Sequence, residues 1–229
     1  AIILAAGIGE RLGKINKIVP KCLIEIGGKT ILDRQLELLN ECGIKKEDVY
    51  VVIGGNGEVW NKKNKDKIKK MHKNVIVNEK NIELKSTYSL WLAIKDIHDN
   101  VLCLDGDLLF NKENVEKIIN SKYDSVMLTK NEDDFKKGNR VLVKKDRVLG
   151  IGSNILSDRV YLGIAKFGNE FLEAFKGNPE FGGEVSMNGI KRWTQDVISL
   201  KRNLFGGRSF HEMSPEEQVQ LVPLSTKVI

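Results

Sequence analysis

Small residues and two cations follow the first apolar run of the chain. Residues 5–9, AAGIG, leave the backbone nearly bare, and Arg11 and Lys21 lie in and after the loop that comes next. Free backbone N–H groups at the end of a strand bind phosphate oxygens, an arginine adds a two-pronged donor and a lysine adds a mobile point charge. The pattern therefore predicts a cradle for a polyphosphate.

The spacing distinguishes this loop from two common phosphate-binding motifs. The GxGxxG motif of dinucleotide-binding folds requires a third glycine at position 12, where this chain has Leu12. The GxxxxGK[ST] motif is also absent. Neither motif explains the glycines.

Two carboxylates form a second candidate group. Asp105 and Asp107 follow the apolar run VLCL at 101–104. Mg²⁺ in proteins takes one or two carboxylates together with substrate phosphate oxygens, so this pair predicts a metal position at the end of a strand. The alternative is two acidic turn residues that cap the next segment.

The elements that must position these groups alternate between strand and helix. Such a rhythm predicts a mainly parallel sheet covered on both faces, with ligands at its carboxyl edge. The predicted strands are 1–5, 49–53, 74–77, 101–104 and 125–128, and the predicted helices are 30–42, 58–72, 86–97 with Ser86 as N-cap, and 112–120. Later in the chain we expect a hairpin from 139, a strand in RVYLGIAKF, helices near 169–176 and 188–202, and a strand near the last residues, LVPLSTKVI.

Composition narrows the functional class. The net charge is +6 over 229 residues, yet the lysine-rich run 61–73 has Ile68 and Met71 on one helical face and no interleaved aromatic residue. It therefore predicts a solvated amphipathic helix and no nucleic-acid partner. No apolar run approaches the roughly 20 residues that span a bilayer, which predicts no membrane partner.

The three cysteines show neither disulfide nor zinc spacing. Each of them lies in an apolar or helical context in the sequence. We expect buried thiols in a protein of the reducing cytoplasm.

The longest motif resembles a known family. LAAGIGERL at 4–12, PKCL at 20–23 and IGGK at 26–29 are similar to the nucleotidyltransferase signature LAAGxGxRL followed by PKxL. NEKNIELKSTYSLWLA at 78–93 resembles the phosphocholine cytidylyltransferase-like branch, where sugar-1-phosphate members have a PxGTA-like stretch instead. The resemblance implies a Rossmann-like, three-layer α/β/α fold of the GT-A-like kind. It also implies one domain over 1–229, whose nucleotide-binding half we place at 1–130 and whose acceptor-binding half we place at 131–229.

The resemblance also implies roles for individual residues. Arg11 and Lys21 would be the catalytic phosphate-binding cations, and Asp107 would hold Mg²⁺. A second metal carboxylate is left open between Asp196, Glu212 and a residue outside this sequence. The implied nucleotide contacts are Leu4, Ala5, Ala6, Gly7, Gly9, Glu10, Arg11, Gly54 with Gly55, Lys80 with Lys85, Ser86, Thr87 and Asp105.

The acceptor side is less defined by the motifs. Aromatic faces attract quaternary ammonium groups, so we expect an aromatic pocket for a choline-like or amine acceptor. Tyr88 and Trp91 lie three residues apart on one predicted helix, and Trp91 is predicted to pack in the core. The acceptor-binding residues are predicted to be Lys21, Tyr88, Tyr161 and Trp193, with Phe181 as a further candidate.

The reaction implied is transfer of a nucleotidyl group from CTP to a small phosphorylated or phosphonate acceptor, with release of pyrophosphate. A phosphate monoester is largely dianionic at neutral pH and needs no general base, in agreement with three histidines in unrelated contexts. Three alternatives stay open: a sugar-1-phosphate nucleotidyltransferase using UTP, dTTP or GTP, a DxD glycosyltransferase, and a non-catalytic nucleotide-binding module. Homo-oligomerisation is also left open.

Overall fold

The strands and helices follow the apolar runs of the sequence. The computed structural model describes residues 1–10, 18–131, 139–144, 147–152, 157–176 and 219–223. The described strands are β1 (Ile2–Leu4), β2 (Glu25–Ile26), β3 (Lys29–Thr30), β4 (Tyr50–Gly54), β5 (Val75–Asn78), β6 (Val101–Asp105), β7 (Val126–Asn131), β8 (Arg140–Lys144), β9 (Arg147–Gly152), β10 (Arg159–Phe167) and β11 (Val219–Pro223). The helices are α1 (Ile31–Glu41), α2 (Lys62–Met71), α3 (Lys85–Ile94), α4 (Lys112–Ile119) and α5 (Asn169–Lys176).

One mixed sheet runs through the molecule in the order β11-β7-β10-β6-β1-β4-β5, with the β8–β9 hairpin attached to β10. Strand β1 pairs in parallel with β4 and β6, and β4 pairs in parallel with β5. Strand β10 runs antiparallel between β6 and β7. The carboxyl ends of β1, β4, β5 and β6 therefore meet at one edge, as the alternating pattern predicts.

Helices cover both faces of this sheet. Successive side chains of a strand point to opposite faces. Ile3 of β1 accordingly packs with Leu32 of α1 and Val115 of α4, whereas Ile2 packs with Ile94 of α3 and Leu172 of α5. The result is the predicted three-layer α/β/α arrangement.

Helix α1 shows how local sequence sets an element. The hydroxyl of Thr30 accepts from the Asp33 N–H, and the Asp33 carboxylate accepts from the Thr30 N–H, which forms a capping box. Gly43, with φ of 83°, follows the helix in the left-handed conformation that commonly ends helices. In α2, Ile68 is fully buried and Met71 packs against the same core, whereas most of the lysines are exposed, as predicted.

The predicted N-cap of α3 is wrong. The helix begins at Lys85, after Leu84, and Ser86 lies exposed inside its first turn. Leu84 is buried and its N–H donates to the Lys80 carbonyl (2.8 Å), so the chain already turns before Ser86. Lys85 has φ of 50°, a strained conformation for a non-glycine residue.

The later elements agree with the sequence pattern where the structure describes them. The hairpin, β10 and α5 form as predicted, and β11 overlaps the start of the predicted last strand. The predicted helix at 188–202 lies outside the described residues. Among the described helices, none has the length and apolar character needed to cross a membrane.

Candidate active site

The loop after β1 presents bare backbone at the carboxyl edge of the sheet. Ala5 and Ala6 are buried, and the Ala5 N–H donates to the Val52 carbonyl (2.8 Å), which anchors the start of the loop. A Cβ built on Gly7 would meet nothing within 4 Å. Gly9 has φ of 70°, which favours glycine. The loop therefore leaves open space beside Gly7, where a large anion has access to the backbone.

One buried amide ties this loop to the loop after β4. Asn81 is 6% exposed, and its Nδ2 donates to the carbonyl oxygens of Ala6 (3.1 Å) and Asn56 (3.0 Å). Its Oδ1 accepts from the Asn56 N–H (2.9 Å). Ile8 adds an apolar anchor because it packs against the hydrophobic core. The contacts of Ala6 and Ile8 thus hold the backbone on both sides of Gly7 in place.

Lys21 projects from a well-anchored turn. It begins a 3-10 turn, Lys21–Leu23, and the next two side chains, Cys22 and Leu23, are buried. Its Nζ donates to Oδ2 of Asp107 at 2.5 Å, and the two side chains are 27% and 36% exposed. The predicted phosphate-binding lysine and the predicted metal carboxylate therefore meet directly.

The turn that carries Asp107 fits closely against the glycine loop. Asp105 pairs in register with Leu4, and the Gly106 N–H donates to the Leu4 carbonyl (2.9 Å). A Cβ on Gly106 would lie 2.7 Å from the Ala5 Cβ, closer than real contacts allow. Glycine at 106 thus permits the acidic turn and the glycine loop to pack side by side.

The surroundings of Asp105 disfavour its charged form. The pKa of Asp105 is raised to about 7, chiefly by burial and also by the Asp107 charge, and the Lys21 charge acts in the opposite direction. Burial and the nearby Asp105 carboxyl also raise the pKa of Tyr161 well above its ordinary value. Asp105 and the predicted acceptor residue Tyr161 therefore interact electrostatically.

Strand β10 makes room for Asp105 with a bulge. The register with β7 shifts between Tyr161 and Ala165, and Gly163 within this stretch has φ of 77°. A Cβ there would lie 3.0 Å from Oδ2 of Asp105 and would overlap the Leu108 side chain. The bulge thus brings bare backbone close to the Asp105 carboxyl.

The donors at this turn fit a hard divalent cation. Asp105 and Asp107 supply carboxylate oxygens, the ligands that Mg²⁺ prefers, and the Lys21 ammonium already shows that a cation is favourable at Asp107. Over the described residues, no cluster of three or more histidine, cysteine or acidic side chains could hold a metal. Such a small donor set suits Mg²⁺ that takes its other ligands from substrate phosphates and water.

The predicted base contacts lie along the same edge. Gly54 ends β4 and pairs in register with Asn78 of β5. A Cβ on Gly54 would overlap the Trp60 ring and lie 2.7 Å from Nδ2 of Asn81, so this glycine permits a tight approach. Thr87 is half-buried in the first turn of α3.

Tyr88 belongs to an aromatic stack at the start of α3. Its ring lies 5.7 Å from the Trp91 ring with an interplanar angle of 9°. The Lys80 Nζ lies 6.0 Å from the centre of the Tyr88 ring. Trp91 is half-buried, which differs from its predicted place in the core, because its ring packs along Tyr88 on the helix surface.

The remaining predicted site residues fall into two groups, those that the structure describes and those that lie outside the described residues. Leu4 is half-buried at the end of β1, and Glu10 is exposed. The predicted residues that lie outside the described residues are Arg11, Phe181, Trp193, Asp196 and Glu212. Their roles stay predictions.

Sequence reasoning missed Asn81, Gln35 and Gly163. The amide of Gln35 is 1% exposed and donates to the carbonyls on both sides of Asp107. A polar residue four positions from Ile31 and Leu39, both core residues of α1, was the available signal. For Gly163 the signal was a glycine inside a strand pattern, which indicates a bulge.

Comparison with known proteins identifies nucleotidyltransferases among the relatives of this chain. The chain is 33% identical over 128 residues to a bifunctional sugar-1-phosphate nucleotidylyltransferase/acetyltransferase of Sulfurisphaera tokodaii, covering 56% of this chain and 29% of that protein. It is 32% identical over 137 residues to a choline-phosphate cytidylyltransferase of Haemophilus influenzae, covering 59% of this chain and 55% of that protein. The chain thus spans about half or less of the length of these relatives.

Solved structures share the fold. The inositol-1-phosphate CTP transferase from T. maritima superposes with a TM-score of 0.61 at 19% identity, covering 87% of this chain and 80% of that chain. This likeness confirms the predicted Rossmann-like, GT-A-like fold. The model of the MobA-like NTP transferase domain matches residues 1–165. With its glycine loop, acidic turn and sheet order, the chain therefore belongs to the MobA-like NTP transferase domain family, within the nucleotidyltransferases.

Proposed function

We propose that this chain transfers a cytidylyl group from CTP to a small phosphorylated or phosphonate acceptor and releases pyrophosphate. The observation that carries the proposal is the 2.5 Å contact between Lys21 and Asp107, on an acidic turn that packs through Gly106 against Ala5 at the start of the glycine loop. It joins a phosphate-binding cation, a metal carboxylate and a phosphate cradle in one place. A nucleoside triphosphate and a second phosphate are the substrates that use all three.

The chemistry needs positioning and charge neutralisation. An oxygen of the acceptor phosphate attacks the α-phosphorus of CTP, the bond from that phosphorus to the bridging oxygen breaks, and pyrophosphate leaves with the electron pair. The acceptor phosphate, whose second pKa is about 6, is already deprotonated, so no general base is required. Backbone N–H groups near Gly7 and the cations Lys21 and Arg11 would hold the phosphates in line.

Mg²⁺ would be held by Asp107 with Asp105 beside it, and when bound it would neutralise triphosphate charge. Asp107 is the more exposed of the two carboxylates, which suits it to contact the metal directly, and the half-buried Asp105 lies beside it. Asp196 and Glu212 stay candidates for a second metal carboxylate.

The preference for CTP rests on relatedness and on the segment after β5. A choline-phosphate cytidylyltransferase is among the relatives, and the segment 78–93 resembles that branch. We assign Gly54, Ser86 and Thr87 to the base and Lys80 to phosphate contacts. The Tyr88 face, which already attracts the Lys80 ammonium, supports an acceptor with a choline or amine group.

The sugar-1-phosphate alternative has its own support in the Sulfurisphaera tokodaii relative. For either substrate pair, we propose that the chain forms one domain, in which residues 1–130 bind the nucleotide and residues 131–229 bind the acceptor through Tyr161 and Trp193. The two alternatives differ only in the base and the acceptor.

The test is Mg²⁺-dependent pyrophosphate release by the full chain. CTP, UTP, dTTP and GTP would each be combined with phosphocholine, 2-aminoethylphosphonate, phosphoethanolamine and glucose-1-phosphate, with Asp107→Asn as the matched inactive control. Release with CTP and a choline or amine acceptor supports the proposal. Release only with a sugar phosphate moves the chain to the sugar branch. No release with any pair, or cleavage of a nucleotide sugar instead, overturns the proposal.

A further inference from the structure

We propose that Gln35 is a positioning residue whose amide sets the shape of the turn that presents Asp107. This inference rests on the proposed function, since it concerns how the metal carboxylate of that site is held. Gln35 lies on α1, which packs against one face of the sheet, and its amide would help to hold the acidic turn in shape.

The side-chain amide of Gln35 bonds two backbone carbonyls of the acidic turn at once. Its Nε2 lies 2.8 Å from the carbonyl oxygen of Asp105 and 2.7 Å from the carbonyl oxygen of Leu108. A side-chain amide has two N–H donors, so each carbonyl receives one of them. The two carbonyls lie on either side of Gly106 and Asp107, and the bonds therefore hold both ends of the turn at once.

The orientation of the amide follows from its partners. If the Gln35 amide were flipped, its Oε1 would face two carbonyl oxygens, which is repulsive. As placed, the buried Oε1 has no hydrogen-bond partner among the described residues. A buried polar atom without a partner costs free energy, so the two donated bonds must outweigh that cost.

The position of Gln35 on α1 argues for a specific role. Ile31, Gln35 and Leu39 are four residues apart, on one helix face, and all three are buried. An apolar side chain would fill such a place without the penalty of burying an amide. The amide is explained by the carbonyls of Asp105 and Leu108, which would otherwise lose these partners.

The rest of the turn is fixed on its other sides. The Gly106 N–H is bonded to the Leu4 carbonyl, and the Leu108 side chain lies against Gly163 of the β10 bulge. Together with the two bonds from Gln35, these contacts hold the backbone on both sides of Asp107. Its carboxylate can then stay at one position beside Lys21, ready for a metal-bound triphosphate. Groups that orient a metal ligand typically change metal affinity by about 10- to 100-fold when they are removed.

The test compares Gln35→Met with a matched variant away from the site. Methionine keeps the length of glutamine and removes both donors. His72→Leu is the control, because His72 is equally buried and its Nε2 is bonded to the Val49 carbonyl (2.7 Å), at the opposite edge of the sheet. If Gln35→Met fails to fold, Gln35→Asn keeps an amide that is too short to reach both carbonyls.

Four quantities would be measured on the full chain. Two come from the activity assay: the Mg²⁺ concentration that gives half-maximal pyrophosphate release, and the KM for CTP at saturating Mg²⁺. The other two are the dissociation constant of Mn²⁺, measured by electron paramagnetic resonance with a non-reactive CTP analogue, and the melting temperature in EDTA. We expect Gln35→Met to raise the Mg²⁺ requirement and the Mn²⁺ dissociation constant by about tenfold or more, and the KM for CTP by less than about twofold.

The control separates positioning from general destabilisation. His72→Leu should lower the melting temperature without changing either metal quantity. The inference is overturned if Gln35→Met and His72→Leu change the metal quantities equally, or if neither changes them. If the wild type releases no pyrophosphate with any triphosphate, the proposed function fails on its own, and the Mn²⁺ measurement still decides whether Gln35 shapes the turn.

Discussion

The ammonium group of Lys21 lies 2.5 Å from Oδ2 of Asp107, although the two residues are 86 positions apart in the chain. Lys21 comes from the turn after the glycine loop, and Asp107 follows the central strand β6. The contact joins two sequence motifs that could have belonged to separate sites. Both side chains keep enough exposure for substrates to reach them.

Removing either charge of this pair should abolish turnover. We expect Lys21→Met and Asp107→Asn each to lower the rate of pyrophosphate release by at least about a thousandfold, because in the proposed mechanism Lys21 contacts the reacting phosphates and Asp107 holds the Mg²⁺ that neutralises them. The melting temperature should change little, since the pair is partly exposed and such ion pairs contribute little to stability. Rates and melting curves on the same preparations would measure both effects.

The matched control is Lys29→Met. Lys29 forms an ion pair with Glu37 at 2.8 Å, and both side chains are about half exposed. This variant should keep the wild-type rate. Turnover within tenfold of wild type in Lys21→Met would contradict the assignment of Lys21.

Two glycines of the site should respond in opposite ways to alanine. A Cβ on Gly7 meets nothing, so Gly7→Ala should leave the free energy of unfolding nearly unchanged and raise the KM for the nucleoside triphosphate about tenfold, because the methyl group fills the cradle. A Cβ on Gly106 would press on the Ala5 Cβ, so Gly106→Ala should destabilise the protein by about 1–3 kcal/mol.

Urea unfolding and nucleotide titration separate the two effects. The cradle interpretation would be rejected if Gly7→Ala bound the triphosphate as tightly as the wild type. Equal stability of Gly106→Ala and wild type would show that the acidic turn can move away from β1.

Asn81 should matter for stability and for nucleotide binding together. Asn81→Asp keeps an oxygen for the Asn56 N–H but places a second oxygen against the carbonyls of Ala6 and Asn56. We expect a loss of about 1–3 kcal/mol in the free energy of unfolding, since these buried groups lose a donor. The KM for the triphosphate should rise because the glycine loop is released.

Asn74→Asp provides the comparison for this change. The Asn74 Nδ2 donates to the Glu47 carbonyl (2.7 Å) at an exposed position near the other end of the sheet. It should be close to wild type by both urea unfolding and KM. The anchoring role of Asn81 is wrong if the two variants behave alike.

The three thiols should differ sharply in reactivity. Burial raises the pKa of Cys22 to about 12 and also raises that of the buried Cys103, whereas Cys42 is only half-buried. The thiolate is the reactive form, so the buried pair stays protonated and unreactive at about pH 8, and reaction of Cys42 should accelerate as pH rises toward its own pKa, which burial raises.

Titration with a chromogenic disulfide would count the accessible thiols. We expect one thiol to react in the native protein and all three in guanidinium chloride. Cys42→Ser should remove the native reaction. Rapid reaction of two or three thiols without denaturant would show that the core around Cys22 or Cys103 opens.

The sequence predicted most of the strands and helices because the buried strands are continuous β-branched runs, such as Val51–Ile53 in β4. It also predicted that the glycine loop and the acidic pair lie at one edge, since parallel strands share their carboxyl ends. It failed at Ser86, where a good capping residue lies next to a turn whose place is set by the buried Leu84. Local preference cannot report such a contact.

The residue types and spacing determined by themselves the fold class, the small-residue loop at 5–9 and the carboxylate pair at a strand end, because periodicity and motif chemistry are local properties of the chain. Only the tertiary structure decided that Lys21 meets Asp107, that Asn81 holds Ala6 and that Gln35 holds both sides of the acidic turn. These contacts join residues that are 70 or more positions apart, and their geometry depends on how the layers pack. Packing couples all parts of the chain at once, so no single segment of the sequence contains it.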